Sequence, residues 1–359
     1  MQIDLDGRIR KRTEGDDLMV SLKDIAIACQ VSVATVSKAL NNHHDIGEQT
    51  KERIRQVAKE MGYFPNSAAK ALKTNRTYSL GVLFEEEDQS GLTHDYFVYV
   101  LDSLKSTAEK RGYDITFINA CKTRQGRMSY LEHCRYRGFD GVIIVCVNFY
   151  DPEVLELVRS NIPTVTIDHV FDNVSAILSD NVKGMHDLVH YVYEKGHRKI
   201  AYIHAVDTAV AVTKCRLASF YKTMEDLGVE IPDAYIRAAA YRDTKAAGIA
   251  TGELLDLADR PTCILYPDDF ACYGGINVIN ERGLSIPGDI SVVGYDGIKI
   301  TRHLEPKLTT LKQDTKRLGR AAAERVIDLI ERPKTTLTEP IVVEGVVYPG
   351  NSVAELKAI

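Results

Sequence analysis

Residues 20–76 read VSLKDIAIACQVSVATVSKALNNHHDIGEQTKERIRQVAKEMGYFPNSAAKALKTNR, and this stretch decides the fold of the N-terminal part of the chain. Ser21 can cap a first helix whose apolar residues recur at helical spacing. A tight connection then leads to Ser32, which can cap a second helix over 33–40. Two short helices joined by a tight turn indicate a helix-turn-helix.

The second predicted helix has a face of small side chains. If Val31, Val36 and Leu40 pack inward, other side chains of this helix face outward, with Thr35 near the edge. The outward ones are Val33, Ala34, Ser37 and Lys38. Bulky side chains would keep the helix out of the major groove, so this face is suited to DNA.

A third helix is predicted over 50–61. Its buried stripe is predicted to be Ile54, Val57, Ala58 and Met61, and its outward side chains Lys51, Arg53, Arg55 and Lys59. From Met19 to Arg76 nine Lys or Arg stand against five Asp or Glu, a net charge of +4, whereas the whole chain carries −5. The positive charge is therefore concentrated in this segment, as a DNA-binding unit requires.

A short helix is predicted after GYFPN, where Asn66 can cap residues 67–73. A helix of under two turns is marginal in water because nucleation costs more than a few hydrogen bonds return. We therefore expect this helix to form only when something holds it.

The run from Leu22 to Leu72 resembles the headpiece and hinge of the LacI/GalR (lactose-repressor) family, with VSVATVSKALN, GYFPN and AAKAL in the family's order and spacing. The resemblance implies that the hinge helices of two subunits pair in the minor groove. Leu72 would wedge open the central base step, and Ala69 would lie where the hinges meet. The remaining DNA contacts are assigned to Ser32, Val33, Ala34, Thr35, Ser37, Lys38, Asn41 and Asn66.

Two residues depart from the family pattern. Gln30 stands where Gly is usual in the turn, so a positive φ there would carry some strain. Lys38 replaces the commoner Arg, which puts a point charge in place of a bidentate fork.

The domain organisation follows from these patterns. Residues 1–18 are a disordered tail or the product of an upstream start codon, 19–64 the headpiece and 65–76 the hinge helix. Residues 77–359 remain for an effector-binding and dimerisation body.

The sequence shows no apolar run long enough for a membrane span and no signal peptide, so we expect a cytoplasmic protein without a membrane partner. Seven cysteines without a CxxC pair indicate reduced thiols.

The body alternates apolar strands with amphipathic helices. The predicted strands are 80–84, 115–119, 142–147, 164–167, 200–204, 235–239, 263–265 and 291–293. The predicted helices are 96–111, 181–195, 215–227, 244–257 and 270–282. This βα repetition predicts parallel sheets covered by helices, and the number of strands favours two doubly wound lobes, as in periplasmic sugar-binding proteins.

A ligand of such a fold belongs in the cleft, beyond the carboxyl ends of the strands. The candidate effector contacts there are Tyr96, Phe97, Asp168, Arg216, Asp268 and Asp296. Aromatic rings can stack on sugars or bases, and charged groups make bidentate hydrogen bonds with hydroxyls. The family resemblance extends through GHRKIAYI, RLASF, ERGLSIPGDISVVGYDG and LTTLKQDTKRLGRAA, and by it Asp168, Arg216 and Asp296 fall on usual effector contacts.

Departures occur in the body as well. Pro267 stands where Asn or Ser is commoner, and Asp95 replaces a frequent Pro. The acidic run 85–88 is read as a solvated loop. His186 and His190 share one helical face but lack the Glu of HExxH, so they are read as surface residues, and Gly274-Gly275 is read as a site of close helix packing.

The sequence offers no catalytic set, nucleotide loop or cofactor motif, so the expected protein is not an enzyme and needs no cofactor. The expected function is a transcriptional regulator, most simply a repressor, controlled by a carbohydrate-like effector. The alternative is a sugar-binding receptor or an enzyme on the same scaffold. The expected partners are an inverted-repeat DNA operator and a second copy of the chain. A dimer is favoured over a tetramer because no heptad tail follows an apparent strand at 341–348.

Overall fold

The computed structural model describes residues 20–64, 71, 76–85, 91–119, 122–123, 126–207 and 210–356, together with two short paired strands at 2–3 and 9–10. The chain forms two compact units, Met1–Thr77 and Tyr78–Ile359. Each unit has its own buried core.

Three helices lie within the described residues 20–64 of the first unit: α1 (Leu22–Cys29), α2 (Val33–Leu40) and α3 (Glu48–Glu60). Their apolar stripes meet at Ile25, Val36 and Ile54, none of which is more than 1% exposed. The predicted helix-turn-helix is therefore present, and the third helix begins two residues earlier than predicted.

Lys51 corrects the expected pattern of α3. It was predicted to face outward, but it is only 4% exposed, and its ammonium group donates to Glu48 at 2.6 Å. The helix turns residue 51 towards the core, so the aliphatic stem is covered while the ammonium reaches the Glu48 carboxylate at the rim.

A six-stranded parallel sheet forms the first lobe of the second unit. Its strands are β1 (Ser79–Phe84), β2 (Asp114–Phe117), β3 (Gly141–Val145), β4 (Thr164–Ile167), β5 (Ser175–Ser179) and β11 (Ile341–Val343), in the order β11-β5-β4-β3-β1-β2. Its helices are α4 (Phe97–Lys110), α5 (Tyr130–Arg137), α6 (Pro152–Val158) and α11 (Thr315–Glu331). Strand β3 shows why the sheet is covered on both faces. Ile143 packs into the core beneath α4 and α11, whereas Ile144 packs into the core beneath α5 and α6.

The second lobe repeats this architecture. Its strands are β6 (Ile200–Ala205), β7 (Ile236–Ala239), β8 (Cys263–Leu265), β9 (Ser291–Asp296), β10 (Thr309–Lys312) and β12 (Val346–Tyr348), in the order β7-β6-β8-β9-β10-β12. Its helices are α7 (Asn181–Glu194), α8 (Ala211–Asp226), α9 (Thr244–Leu255) and α10 (Asp269–Glu281). The pairing is parallel except between β10 and β12. The two predicted doubly wound lobes are thus confirmed.

The chain passes between the lobes three times, after β5, after β10 and between β11 and β12. The single strand predicted at 341–348 is therefore wrong, because its halves pair with different sheets. Glu344 and Gly345 interrupt it, and β11 pairs with β5 while β12 pairs with β10. Strands β5 and β10 are further elements that the sequence patterns did not predict.

Close packing of α9 on α10 depends on Gly274. A Cβ atom there would lie 1.9 Å from the carbonyl oxygen of Thr244, so a side chain cannot be accommodated without movement of backbone. None of the helices in the described ranges is both long and apolar enough to cross a membrane.

Candidate functional site

The turn between α1 and α2 is shaped by its caps. Ser21 and Asp24 form a capping box at the start of α1, and the Ser32 hydroxyl accepts from the Thr35 amide at 3.0 Å at the start of α2. Gln30 between them has φ 51° and ψ 43°, the left-handed conformation that Gly adopts more easily. The strain expected at Gln30 is therefore present, and the turn keeps its geometry without a Gly.

The outward face of α2 is small and mostly apolar. Val33 is 44% exposed, and Ala34 and Lys38 are also exposed. Thr35 and Ser37 are half-buried, and the Asn41 side-chain amide closes the helix by donating to the Ser37 carbonyl at 2.7 Å. The surface can approach the floor of a groove because nothing larger than Val projects near its start.

Three basic side chains of this unit, in addition to Lys51, have partners within it. Lys38 donates to Asp45 at 2.5 Å, Arg53 to the Cys29 carbonyl at 2.9 Å and Arg55 to Asn42 at 2.9 Å. The direction of each cation is thus set before any ligand arrives.

The hinge contacts Asn66, Ala69 and Leu72 lie outside the described residues. Ala71 is helical, which agrees with the position of the predicted hinge helix but does not test the roles assigned to its neighbours.

The cleft between the lobes of the second unit is lined where β4 and β9 end. Asp168 follows β4 with φ 57°, and its carboxylate accepts from the Ser179 amide at 2.7 Å. Asp296 ends β9 with φ 103°, and it accepts from the Gln313 side-chain amide at 2.6 Å. Residues with side chains rarely hold such φ values unless the surroundings impose them, and they cluster at functional sites.

The two carboxylates differ from ordinary surface groups in their ionisation. Burial raises the pKa of Asp168, although the Ser179 amide and Arg216 act in the opposite direction. Burial also raises the pKa of Asp296 to about 7, with Arg216 again opposing the shift. The two carboxylates therefore carry more negative charge than Arg216 neutralises, and a ligand that donates hydrogen bonds to them would stabilise their charged forms.

Arg216 is fixed in the wall of the cleft on α8. It is 4% exposed, donates to the Asn181 side chain at 2.7 Å and to the Pro267 carbonyl at 2.9 Å, and stacks on the Tyr295 ring with its guanidinium carbon 3.5 Å from the centroid. Its hydrogen bonds thus go to neutral groups, and its charge acts on Asp168 and Asp296 through space.

Asp268 has a structural task in addition to its position in the cleft wall. One carboxylate oxygen caps α10 by accepting from the Ala271 amide at 2.7 Å, and the other accepts from the Arg242 amide at 2.8 Å. It is 3% exposed. The sequence predicted it as an effector contact, and the structure shows both oxygens already engaged with backbone.

Tyr96 and Phe97 begin α4 on the first lobe. Tyr96 is 6% exposed, and its hydroxyl lies 3.5 Å from the Ser179 hydroxyl and donates to Gln313 at 3.4 Å. Phe97 is half-buried beside Phe84, with ring centroids 5.6 Å apart. Tyr96 therefore belongs to the same group of side chains as Asp168 and Asp296, whereas Phe97 packs against the Tyr96 ring, with ring centroids 4.9 Å apart.

The lobes touch each other at the mouth of the cleft. Asp95 of the first lobe pairs with Arg242 of the second at 3.4 Å, and the Lys299 ammonium lies 4.2 Å from the centroid of the Tyr99 ring. Arg242 and Gln313 were not predicted from the sequence. Arg242 follows the strand predicted at 235–239, so the rule that ligand contacts lie beyond the carboxyl ends of strands, which identified Asp168, could also have identified Arg242. Gln313 lies within the motif LTTLKQDTKRLGRAA.

Comparison with known proteins supports both halves of this description. The model of the lacI family of bacterial regulatory proteins matches residues 21–66, and the periplasmic binding protein-like domain matches residues 189–353. The HTH-type transcriptional repressor PurR of Escherichia coli O1:K1 / APEC is 28% identical over 338 residues, which are 91% of this chain and 96% of that protein.

Solved structures show the same fold. The lac repressor dimer bound to operator and the anti-inducer ONPF matches with a TM-score of 0.78 and 22% identity, covering 94% of this chain and all of that one. A LacI family regulator from Enterococcus faecium with bound ribose matches with a TM-score of 0.66 and 24% identity over 78% of this chain and all of that one. The chain thus combines a DNA-binding domain of the lacI family with a periplasmic binding protein-like domain, and it is homologous to PurR over 91% of its length.

Proposed function

We propose that this protein is a homodimeric, DNA-binding transcriptional repressor whose affinity for its operator is controlled by a small carbohydrate-like effector. The observation that carries the proposal is the presence, in one chain, of a helix-turn-helix with an exposed, small-residue α2 and a cleft lined by Asp168 and Asp296. An exported receptor or an enzyme on the same two-lobed scaffold would have no use for the first feature. Operator binding would place the protein with the DNA in the cytoplasm.

The operator is an inverted repeat in this proposal, since each subunit contributes one α2 to successive major grooves. Val33 and Ala34 offer only methyl groups, which suit the methyl of thymine. Ser32, Thr35, Ser37 and Asn41 would contact the backbone or base edges around them, and Asn66 would support the hinge. At the centre of the repeat, Leu72 would wedge a flexible pyrimidine–purine step, with Ala69 at the contact between hinges.

The hydroxyl groups of the effector would donate hydrogen bonds to the carboxylates of the cleft. Asp168 and Asp296 each use one oxygen for the Ser179 amide and the Gln313 amide, and the second oxygen of each can accept from a diol. Tyr96 would pack against the sugar face, and Arg216 would fix the charge of the carboxylates from the wall. Relatives of this fold bind such ligands, for example the CelR–cellobiose complex, which matches with a TM-score of 0.66 and 24% identity over 93% of this chain and 99% of that one.

Control would come from closure of the lobes. A ligand that bridges Asp168 on the first lobe and Asp296 on the second favours one lobe arrangement over the other, and only such differential affinity can shift the population. The Asp95–Arg242 pair joins the lobes at the same opening, so closure would depend on it as well. We propose that the arrangement of the first lobes in the dimer then decides whether two hinge segments can pair on DNA.

Two measurements on the full-length protein test the proposal. Selection from a random duplex library should return inverted repeats, and Ala34→Gln should change the preferred base at one symmetric pair of positions. A thermal-shift screen of monosaccharides, disaccharides and sugar acids should find a compound that raises the melting temperature, because binding to the native state alone adds stability. That compound should alter operator affinity. A protein that selects no sequence from the library would not be a repressor of this kind.

A further inference from the structure

Asp45 stands out in the helix-turn-helix because it binds the one charged residue of α2. The helix VATVSKAL contains a single charge, Lys38, which follows Ala34 by four residues and so lies on the same outward face. The Lys38 ammonium donates to the Asp45 carboxylate at 2.5 Å, and the side chains are 48% and 42% exposed. The pair therefore lies on the surface that would meet DNA.

The carboxylate is the fixed partner of the two. Asp45 lies in the loop between α2 and α3, where the His43 amide donates to the Lys38 carbonyl at 3.0 Å and the Asn42 side chain accepts from Arg55 at 2.9 Å. Ile46, next to it, packs on the core of the unit. Lys38, in contrast, has a flexible four-carbon stem, so the position of its ammonium group is set by Asp45.

This contact changes what a lysine can do at a DNA surface. An ammonium group on its own is an undirected point charge that neutralises a phosphate equally well at any sequence. When one of its three donors is held by Asp45, the other two have defined directions. The carboxylate also repels phosphates, and the hydrogen bond from Lys38 lowers the pKa of Asp45, so it stays charged at neutral pH.

We infer that Asp45 is a positioning residue for base recognition, holding Lys38 towards paired acceptors on a base edge, such as N7 and O6 of guanine, and away from the phosphate backbone. The inference rests on the proposed function and adds a determinant of specificity to it. An exposed ion pair contributes little to folding, so its effect lies in discrimination between DNA sequences. Asp45 would make up in part for the bidentate fork that Arg would supply at position 38.

The experiment compares four full-length proteins: the parent, Asp45→Asn, Lys38→Ala and the double variant. Each is used to select from a random duplex library, and each is titrated with a 30-base-pair duplex of random sequence at several salt concentrations. Glu60→Gln is the control, because it removes one negative charge from the exposed end of α3, where Glu60 accepts from Gln56 at 2.7 Å.

Asp45→Asn should bind the random duplex several-fold more tightly than the parent and lose the base preference at one symmetric pair of positions. The slope of log affinity against log salt should steepen by about 1.8, because each of the two released lysines gains one phosphate at about 0.9 per contact. In the Lys38→Ala background the Asp45 substitution should change neither the preference nor the slope, and Glu60→Gln should leave the preference intact.

Two results would overturn the inference. One is an equal gain in affinity from Asp45→Asn with and without Lys38, which would make Asp45 a simple repulsive charge. The other is an unchanged base preference in Asp45→Asn. Circular dichroism melts and a second variant, Asp45→Ser, guard against a folding defect. A parent protein that selects no sequence at all would instead contradict the proposed function, so the two failures are distinguishable.

Discussion

Asp296→Asn should stabilise the protein at alkaline pH and not at acidic pH. Burial at the end of β9 raises the pKa of Asp296 to about 7 from an ordinary value of 3.8, so between these values the folded state holds a proton that the unfolded state has released. The stability contributed by that proton is complete below pH 4 and is lost as the pH rises through 7. Asparagine cannot ionise, and its carbonyl can still accept from Gln313.

The magnitude follows from the shift. About three pKa units correspond to about 4 kcal/mol at 1.36 kcal/mol per unit. Asp296 is only partly buried on the cleft side, so screening by water reduces this to about 2 kcal/mol. For a body of this size, that is a change of about 4 °C in the difference between the melting temperatures of variant and parent on going from pH 4 to pH 8, and about two thirds of it falls above pH 5.

Differential scanning fluorimetry at half-unit pH steps measures this difference. Asp259→Asn is the matched control, since Asp259 lies on the surface of the same lobe with a 70% exposed side chain paired with Lys199. The difference in melting temperature between Asp259→Asn and the parent should not vary with pH in this way. A difference for Asp296→Asn that stays constant from pH 5 to pH 8 would refute the argument that burial controls the ionisation of this carboxylate.

Three further substitutions have expected outcomes. Arg216→Ala should lower the melting temperature, at a cost of about 3 kcal/mol, because it leaves the Asn181 side chain and the Pro267 carbonyl without their donor and two buried carboxylates without a cation. Thermal melts measure this cost, and an operator titration with and without the effector found in the screen measures the response to the ligand. An unchanged response to the effector would remove Arg216 from the site. Leu72→Ala should weaken binding to a selected operator far more than binding to random duplex in gel-shift titrations, and equal losses would argue against intercalation. Gly274→Ala should destabilise the second unit by about 3 kcal/mol in thermal melts, since its Cβ would meet the Thr244 carbonyl. Gly47→Ala, with no atom within 4 Å of its Cβ, should cost less than about 1 kcal/mol, because it changes only the N-cap of α3.

Local signals in the sequence predicted the helix starts of the first unit closely. Ser21 and Ser32 cap their helices as expected because capping depends on residues within one turn. Gly274 was also anticipated, since a Gly pair inside a helical pattern requires a close neighbour. Lys51 was misplaced because the burial of a long amphipathic side chain depends on a neighbour such as Glu48, which a hydrophobic pattern does not reveal.

Central strands were predicted because they are continuous apolar runs buried on both faces. The segments that became β5 and β10 are short, SAILS and TTLK, and polar residues flank the few apolar residues of each, so their pattern is weak. The separation of β11 from β12 depends on which sheet has an open edge, and that information is not local. In the cleft, the rule that side chains follow strand ends located Asp168 and Asp296. It gave no sign that both oxygens of Asp268 accept from backbone amides, because those contacts depend on where Arg242 and Ala271 lie in the fold, and the role of Asp268 as an effector contact stays a prediction.

The passage from β11 to β12 has a consequence for solubility. Strand β11 is the outermost strand of the first sheet and pairs with β5, and β12 is the outermost strand of the second sheet and pairs with β10. The eight residues 341–348 therefore cover the hydrogen-bonding edge of β5 in one lobe and that of β10 in the other. Pro340 precedes the first and Pro349 follows the second, which limits further pairing along both. A single proteolytic cut at Glu344 would loosen both covers together and expose two templates for strand addition between molecules. Static light scattering of a protein nicked there should therefore report association beyond the dimer while the two cores remain folded.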